Sequence, residues 1–265
     1  MRKTDITLKD VCVVYDGPEG LLWELIMGEQ IHAGGIQSSQ ALAEKAGIKA
    51  GMKGIDLCSA LGAGCRFLVQ NFEVTMCGLD ATDTMHRKAV ERAKTAGLED
   101  KIEFKKGDVT AIPYEDAVFD FVWGEDAWCY VVDKAKLIEE AVRVLKPGGV
   151  VAFTDWIEGA NGLTDDEAAR INTFMKFPYM ESFEGYKSLL EKNGLTVVET
   201  TDLTEEFAGY IDLYIKMLTD QLTFDALRII GNNMEIFQAM GGEMMFMAQK
   251  AHEGKFGRCR FIAKK

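Results

Sequence analysis

Gly54-Ile55-Asp56-Leu57-Cys58-Ser59-Ala60-Leu61-Gly62-Ala63-Gly64-Cys65-Arg66-Phe67-Leu68 is the stretch that decides the fold. Gly54 to Cys58 reads as an apolar strand. Ser59 to Gly64 is a turn of small residues, and a helix is predicted from Cys65. A strand, a tight turn and a helix in this order open a nucleotide-type cofactor site. Small residues let the backbone approach a ligand, and a helix N-terminus offers unpaired N–H groups. The usual Gly-x-Gly spacing is degraded, because Cys58 and Ala60 stand where two glycines are expected.

Downstream, strands and helices alternate. Val74–Leu79 reads as a second strand ending at Asp80, followed by a helix over Thr84–Ala96 that Gly97 stops. Ile102–Lys105 is a third strand, ending in Gly107-Asp108-Val109. Phe119–Trp123 is a fourth, and Lys134–Val144 a helix ended by Lys146-Pro147-Gly148-Gly149. Val150–Thr154 is a fifth strand, Phe183–Asn193 a helix and Leu195–Thr200 a sixth strand. A last strand falls near Arg258–Ala263. Alternation at such short spacing implies a parallel sheet covered by helices on both faces. Two stretches interrupt it. One holds a helix over Asp165–Phe174 capped near Thr164; the other is a run rich in aromatic residues and methionine. Together they predict a helical lid.

Upstream, residues 1–30 read as helical and amphipathic, broken at Asp16-Gly17-Pro18-Glu19-Gly20. Gly28 to Gly35 is a glycine-rich loop with polar side chains, either a surface turn or a segment lying over a ligand. Ser38 or Ser39 is expected to cap a helix over Gln40–Ala46.

The 265 residues carry a formal net charge of -12, which disfavours a nucleic-acid partner. No apolar run approaches the ~20 residues of a membrane span, and Met1-Arg2-Lys3-Thr4-Asp5 is not followed by a signal-type stretch. A cytoplasmic protein without membrane contact is expected. The six cysteines form no C-x-x-C pair and read as buried free thiols. His32, His86 and His252 lack ligand spacing, so no metal site is expected.

The chemistry-bearing residues fall at strand ends, where open α/β sheets bind ligands. Asp56 lies within the first strand, as a ligand group or as a buried acid bonded to backbone. Asp80, 24 residues further on, suits two ribose hydroxyls or the cap of the next helix. Asp108 can read an adenine amino group or be an ordinary turn residue. Trp123, Glu125 and Asp126 end the fourth strand, facing the expected reaction centre, although Asp126 also reads as a solvated loop carboxylate. A pyrophosphate would want a cleaner glycine pattern than Cys58-Ser59-Ala60-Leu61-Gly62 provides; S-adenosylmethionine has no phosphate and does not need an anion nest.

Asp56–Gly64, Asp80, Gly107-Asp108, Phe119–Trp123 and Arg143–Gly149 together resemble the ordered motifs of class I S-adenosylmethionine-dependent methyltransferases, over roughly residues 50–155. Trp23–Gly34, Trp123–Ala127 with Asp133-Lys134, Thr154-Asp155 and Phe183–Leu195 are similar to the sarcosine/dimethylglycine and phosphoethanolamine N-methyltransferase group. The resemblance implies a Rossmann-like α/β fold with a seven-stranded, mostly parallel sheet, helices on both faces and a lid built from insertions. It implies one domain over 1–265. Residues 1–49 would close the site, 50–156 form the cofactor core, 157–182 and 203–254 the lid, and 257–264 the final strand. The cofactor would be S-adenosyl-L-methionine, held by Tyr15, Gln30, Asp56, Ser59, Ala60, Gly62, Asp80, Ala81, Met85, Asp108, Val109, Trp123 and Glu125. His32 and Asp126 would be the catalytic residues, with His32 read either as a base or as a structural loop histidine bonding backbone or cofactor.

The function implied is methyl transfer to a small molecule, in a monomer or homodimer. The acceptor expected is an amine nitrogen, sarcosine/dimethylglycine-like or ethanolamine-like. A thiol, carbon, oxygen or arsenic acceptor on the same fold is the alternative, as is a non-catalytic S-adenosylmethionine-binding protein. In the lid, residues such as Phe174, Phe177, Tyr179, Met180, Tyr210 and Tyr214 read as a cage for a methylated ammonium or as the lid's own core. Arg170 and Arg228 read as clamps for a substrate carboxylate or as surface residues.

Overall fold

The computed structural model describes residues 3–265. Three helices come first: α1 (Leu8–Asp16), α2 (Pro18–Met27) and α3 (Gly35–Ala46). Pro18 opens α2 at its first turn, where a missing N–H costs nothing, and Gly47 ends α3 in the left-handed conformation at φ 71°. The helical reading of residues 1–30 is too broad. Residues 3–7 precede α1, and Thr4 N–H donates to the Pro178 carbonyl at 2.8 Å, tying this segment to the loop at Pro178. Residues 1 and 2 lie outside the described residues.

The alternating core follows as β1 (Lys53–Leu57), α4 (Ala63–Phe72), β2 (Thr75–Asp80), α5 (Asp83–Thr95), β3 (Ile102–Lys106), β4 (Phe119–Glu125), α6 (Lys134–Val144) and β5 (Leu145–Glu158). Then come α7 (Asp165–Met175), β6 (Glu181–Ser182), α8 (Phe183–Lys192), β7 (Thr196–Asp202), α9 (Thr204–Asp220), α10 (Thr223–Ile229), α11 (Met234–His252) and β8 (Phe256–Lys264). The strands form one sheet in the order β3-β2-β1-β4-β5-β8-β7, and two-residue β6 pairs with β5 off this line. Only β8 runs antiparallel to its neighbours. The sheet is the mostly parallel α/β sheet the alternation predicts, seven strands in line with β6 added.

Successive side chains on a strand point to opposite faces. Ile55 and Leu57 therefore join Val122 on one face, under Leu137, Ile138 and Val144 of α6 and Tyr186 and Leu190 of α8. Phe121 and Trp123 join Ile262 on the other, under Leu42 and Ala43 of α3 and Phe67 and Leu68 of α4. With both faces covered, β8 is buried from Phe256 to Ala263. The segments predicted as a lid pack against the end of β5 in a further core, where Trp156 meets Ile171, Phe177, Phe207 and Met247.

Two element readings change. β5 starts at Leu145 rather than Val150, because Leu145 pairs with Phe119 and the Pro147-Gly148-Gly149 bend continues into the strand. α3 starts at Gly35, so Ser38 and Ser39 lie inside it and neither is its cap; Ser39 turns inward and donates to Glu125 Oε1 at 2.9 Å. All six cysteines are free, and Cys65, Cys77, Cys129 and Cys259 are buried. No helix among the described residues is long and apolar enough to cross a membrane.

Candidate active site

β1 and β4 lie side by side, yet the chain leaves them toward opposite edges of the sheet. This reversal opens a crevice at their carboxyl ends. A cavity enclosing about 1140 Å³, part of it open to solvent, occupies the crevice. Of the residues singled out in the sequence, Tyr15, Gln30, His32, Asp56, Ser59, Ala60, Asp80, Ala81, Met85, Asp108, Val109, Glu125 and Asp126 line it. Gly62 and Trp123 do not. Gly62 sits behind the turn at φ 66°, where a Cβ would lie 2.4 Å from the Phe104 ring. Trp123 is turned into the helix-covered face and reaches the site only through its indole N–H, which donates to Glu125 Oε2 at 3.0 Å. None of the lining residues comes from 157–182 or 203–254.

The turn after β1 is held from below. Cys58 and Ser59 N–H groups donate to the Leu79 carbonyl at 2.9 and 3.1 Å, and Ala60 N–H donates to Asp80 Oδ2 at 2.8 Å. Thr82 N–H donates to Asp80 Oδ1 at 2.8 Å, so one carboxylate fixes the two loops that flank it. Burial raises the Asp80 carboxyl, and these amide donors hold part of that rise back. Cys58 and Ala60 have φ of 65° and 43°, the left-handed region that favours glycine. The two residues that break the glycine pattern are thus the two non-glycine residues of this turn that carry strain. Ala60→Gly removes about 1–2 kcal/mol of left-handed strain and adds back about 0.5–1 kcal/mol of backbone entropy. A melting temperature higher by roughly 1–4 °C is expected from a thermal scan; a lower one would show that Ala60 is unstrained.

Two carboxylates converge above this turn. A Cβ on Gly64 would lie 3.1 Å from Asp56 Oδ2 and 3.3 Å from Glu125 Oε2, so only glycine leaves both in place. Burial first, then the Glu125 charge, push the Asp56 carboxyl well above the usual range. Gln30 Oε1 is buried on the same wall without a hydrogen-bond partner. Buried acceptors left over in this way call for a donor from outside the chain. Asp108 Oδ1 accepts from Thr110 N–H and Oγ at 2.8 Å each, on the exposed rim beyond β3.

His32 is buried, and its ring nitrogens are engaged. Nδ1 is 3.2 Å from the Ala33 carbonyl; Nε2 is 3.1 Å from Ser39 Oγ and 3.3 Å from Glu125 Oε1. This geometry makes His32 a prop for Glu125. Asp126 is spent as well: Oδ1 accepts from Arg258 Nε at 2.7 Å and Oδ2 from Ala33 N–H at 2.9 Å. Burial works to raise its carboxyl, and the Arg258 charge, the His32 ring and the hydrogen bonds from Arg258 and Ala33 together outweigh burial and leave it below the ordinary value. Tyr15 and Tyr130 meet edge to face with centroids 5.4 Å apart, forming the aromatic part of the wall.

Several supporting residues have roles that the sequence does not assign, although Lys134 and Asp155 lie in stretches that carry the resemblance. Arg258 also donates to Ser38 Oγ and Thr154 Oγ1, at 2.9 and 3.0 Å. Its only signal is a charge in a mostly apolar strand, a signal that Arg260 shares. Lys134 is buried and donates to the carbonyls of Cys129, Val131 and Tyr179 at 3.2, 3.0 and 2.9 Å, which fastens the loop after β4 to the lid. Burial lowers its amine to about 8. Asp155 accepts from Cys129 N–H at 3.0 Å and from the Tyr186 hydroxyl, and burial raises it to about 6. The lid arginines point elsewhere: Arg170 pairs with Glu243 at 2.8 Å, and exposed Arg228 with Asp225 at 3.6 Å. Among the described residues no group of three His, Cys, Asp or Glu side chains is placed to hold a metal ion.

A family model described as a methyltransferase domain matches residues 55–153. A methyltransferase, GfsG, from Streptomyces halstedii is 29% identical over 176 residues, 65% of this chain and 63% of that one. Phosphoethanolamine N-methyltransferase 3 from Arabidopsis thaliana is 29% identical over 197 residues, 74% of this chain and 39% of that one. The chain thus spans less than two thirds of the length of these curated relatives. Among solved structures, a protein described as a candidate sarcosine dimethylglycine methyltransferase from Galdieria sulphuraria superimposes with a TM-score of 0.79 at 27% identity, covering 86% of this chain and 85% of that one.

Proposed function

We propose that this chain binds S-adenosylmethionine in the crevice and transfers its methyl group to a small amine. The observation that carries the reading is the pair Asp56 and Glu125, two buried carboxylates converging on Gly64 at the switch point of the sheet. A cofactor with an ammonium group and a sulfonium supplies the positive charge these groups lack. The match over 55–153 supports the reading.

The residues present fit that cofactor. Asp80, with lone pairs left beyond its two backbone donors, would accept the ribose hydroxyls. Asp108 and Val109 would flank the adenine. Gln30 Oε1 and Asp56 would accept the ammonium of the methionine portion, and the first turn of α4 at Ala63 and Gly64 would meet its carboxylate. When bound, the cofactor supplies an activated methyl on sulfur. The chain supplies alignment: Glu125, propped by His32 and Ser39, and the Tyr15–Tyr130 pair would hold the acceptor nitrogen facing the methyl.

The experiment is transfer of a labelled methyl group to a panel of amines, thiols and phenols. Transfer to amines is expected. Transfer only to a thiol or phenol would move the acceptor class, and tight cofactor binding with no turnover on any acceptor would make the chain a binding protein.

A further inference from the structure

We infer that the methyl acceptor is an amine without a phosphate or carboxylate, a neutral-bodied amine rather than an amino acid or a phosphorylated amino alcohol. This rests on the amine reading above. Among the described residues no lysine or arginine lines the cavity. Its charged groups are carboxylates, with His32 already engaged on both ring nitrogens. The arginines that approach from behind are consumed: Arg66 Nη2 pairs with Glu29 at 2.6 Å, and Arg258 with Asp126 at 2.7 Å. Arg170 and Arg228 are paired on the outside of the lid.

An acceptor placed against Glu125 and the Tyr15–Tyr130 pair therefore meets a carboxylate, two aromatic faces and the apolar Val11, Ile31 and Val132. Those groups favour a cationic head and an uncharged remainder. A second anionic group on the acceptor would sit unpaired beside Glu125. Uncompensated burial of charge is expensive, and the wall discriminates through the cation it lacks. The relatives named for phosphoethanolamine and for sarcosine and dimethylglycine carry acceptors with such an anion in their names, so this chain departs from them at the acceptor end. In the reaction the acceptor's nitrogen lone pair forms the new N–C bond, the electron pair of the broken C–S bond goes to sulfur, and the surplus ammonium proton goes to solvent.

The test uses the full chain, labelled S-adenosylmethionine and acceptors matched except for the anion: ethanolamine against phosphoethanolamine, and sarcosinamide against sarcosine. A kcat/KM at least about a hundredfold higher for the uncharged member of each pair is expected. Equal or better use of phosphoethanolamine or sarcosine overturns the inference and leaves the amine reading standing. Transfer to no amine overturns both. Val132→Lys places a cation on the half-exposed rim of the wall. It should shift the phosphoethanolamine-to-ethanolamine ratio at least about tenfold toward the anion; an unchanged ratio overturns the inference.

Discussion

Arg258→Met should lower the melting temperature by roughly 6–20 °C, the largest stability loss we expect from one substitution at this site. Arg258 and Asp126 are both nearly inaccessible to solvent, and the pair is 2.7 Å apart. Removing the guanidinium leaves a carboxylate in a buried site with one backbone donor, Ala33 N–H. Breaking one side of a buried ion pair costs about 3–5 kcal/mol, because the remaining charge is uncompensated. The remedy follows from the same reasoning. Arg258→Met combined with Asp126→Asn removes the charge, keeps an acceptor for Ala33, and suits the φ of 54° at position 126, which asparagine tolerates. The double variant should recover more than half of the loss in a thermal double-mutant cycle. A single variant within about 1 kcal/mol of the parent would mean that water already reaches Asp126.

Asp80→Ala should weaken S-adenosylhomocysteine binding by about a hundredfold in calorimetry, equivalent to about 2.7 kcal/mol. One side chain here does two jobs. It holds Ala60 and Thr82 N–H groups at 2.8 Å each, and so sets the distance between the loops on either side of the cavity. It also lines the cavity, and its remaining lone pairs are the ones proposed for the ribose hydroxyls. Each buried N–H left without a partner costs about 1–3 kcal/mol, so part of the effect appears as lost stability even without cofactor. Asp80→Asn keeps one acceptor oxygen and should fall between the two. A dissociation constant within threefold of the parent in Asp80→Ala would remove the ribose assignment.

The sheet was legible because its strands announce themselves locally. Short strand-like runs, apolar before Asp80 and Glu125-Asp126 and alternating before Gly107-Asp108, end at these carboxylates, and helices stop at glycines. The inner wall of the cavity was legible for the same reason: Asp56, Asp80 and Glu125 sit at strand ends, and parallel strands bring those ends together. What holds these residues was not legible. Asp126 finds its cation 132 residues away, and Ser39 reaches Glu125 across 86. Nothing in the local pattern distinguishes a spent carboxylate from a working one. His32 shows the same limit, since its nitrogens are used up by neighbours that only the fold supplies. The segments after β5 were legible in part, because a core of their own was the reading their composition favoured. Their aromatic and methionine residues fill that core, and the residues of the alternative, a cage for a methylated ammonium, do not line the cavity.

β8 comes after every other strand in the chain, yet it lies between β5 and β7 in the sheet. While the polypeptide is being made, β5 keeps a bare edge through the synthesis of five helices, α7 to α11. β7 has no partner in the sheet until the same strand arrives. Long-range pairing of this kind is slow, and an unpaired edge invites other chains. The strand that closes the gap also delivers Arg258 to Asp126. The turn at Gly54–Leu68 therefore emerges early from the ribosome, whereas the clasp that steadies the opposite wall of its cavity can form only when the nascent chain has passed Arg258.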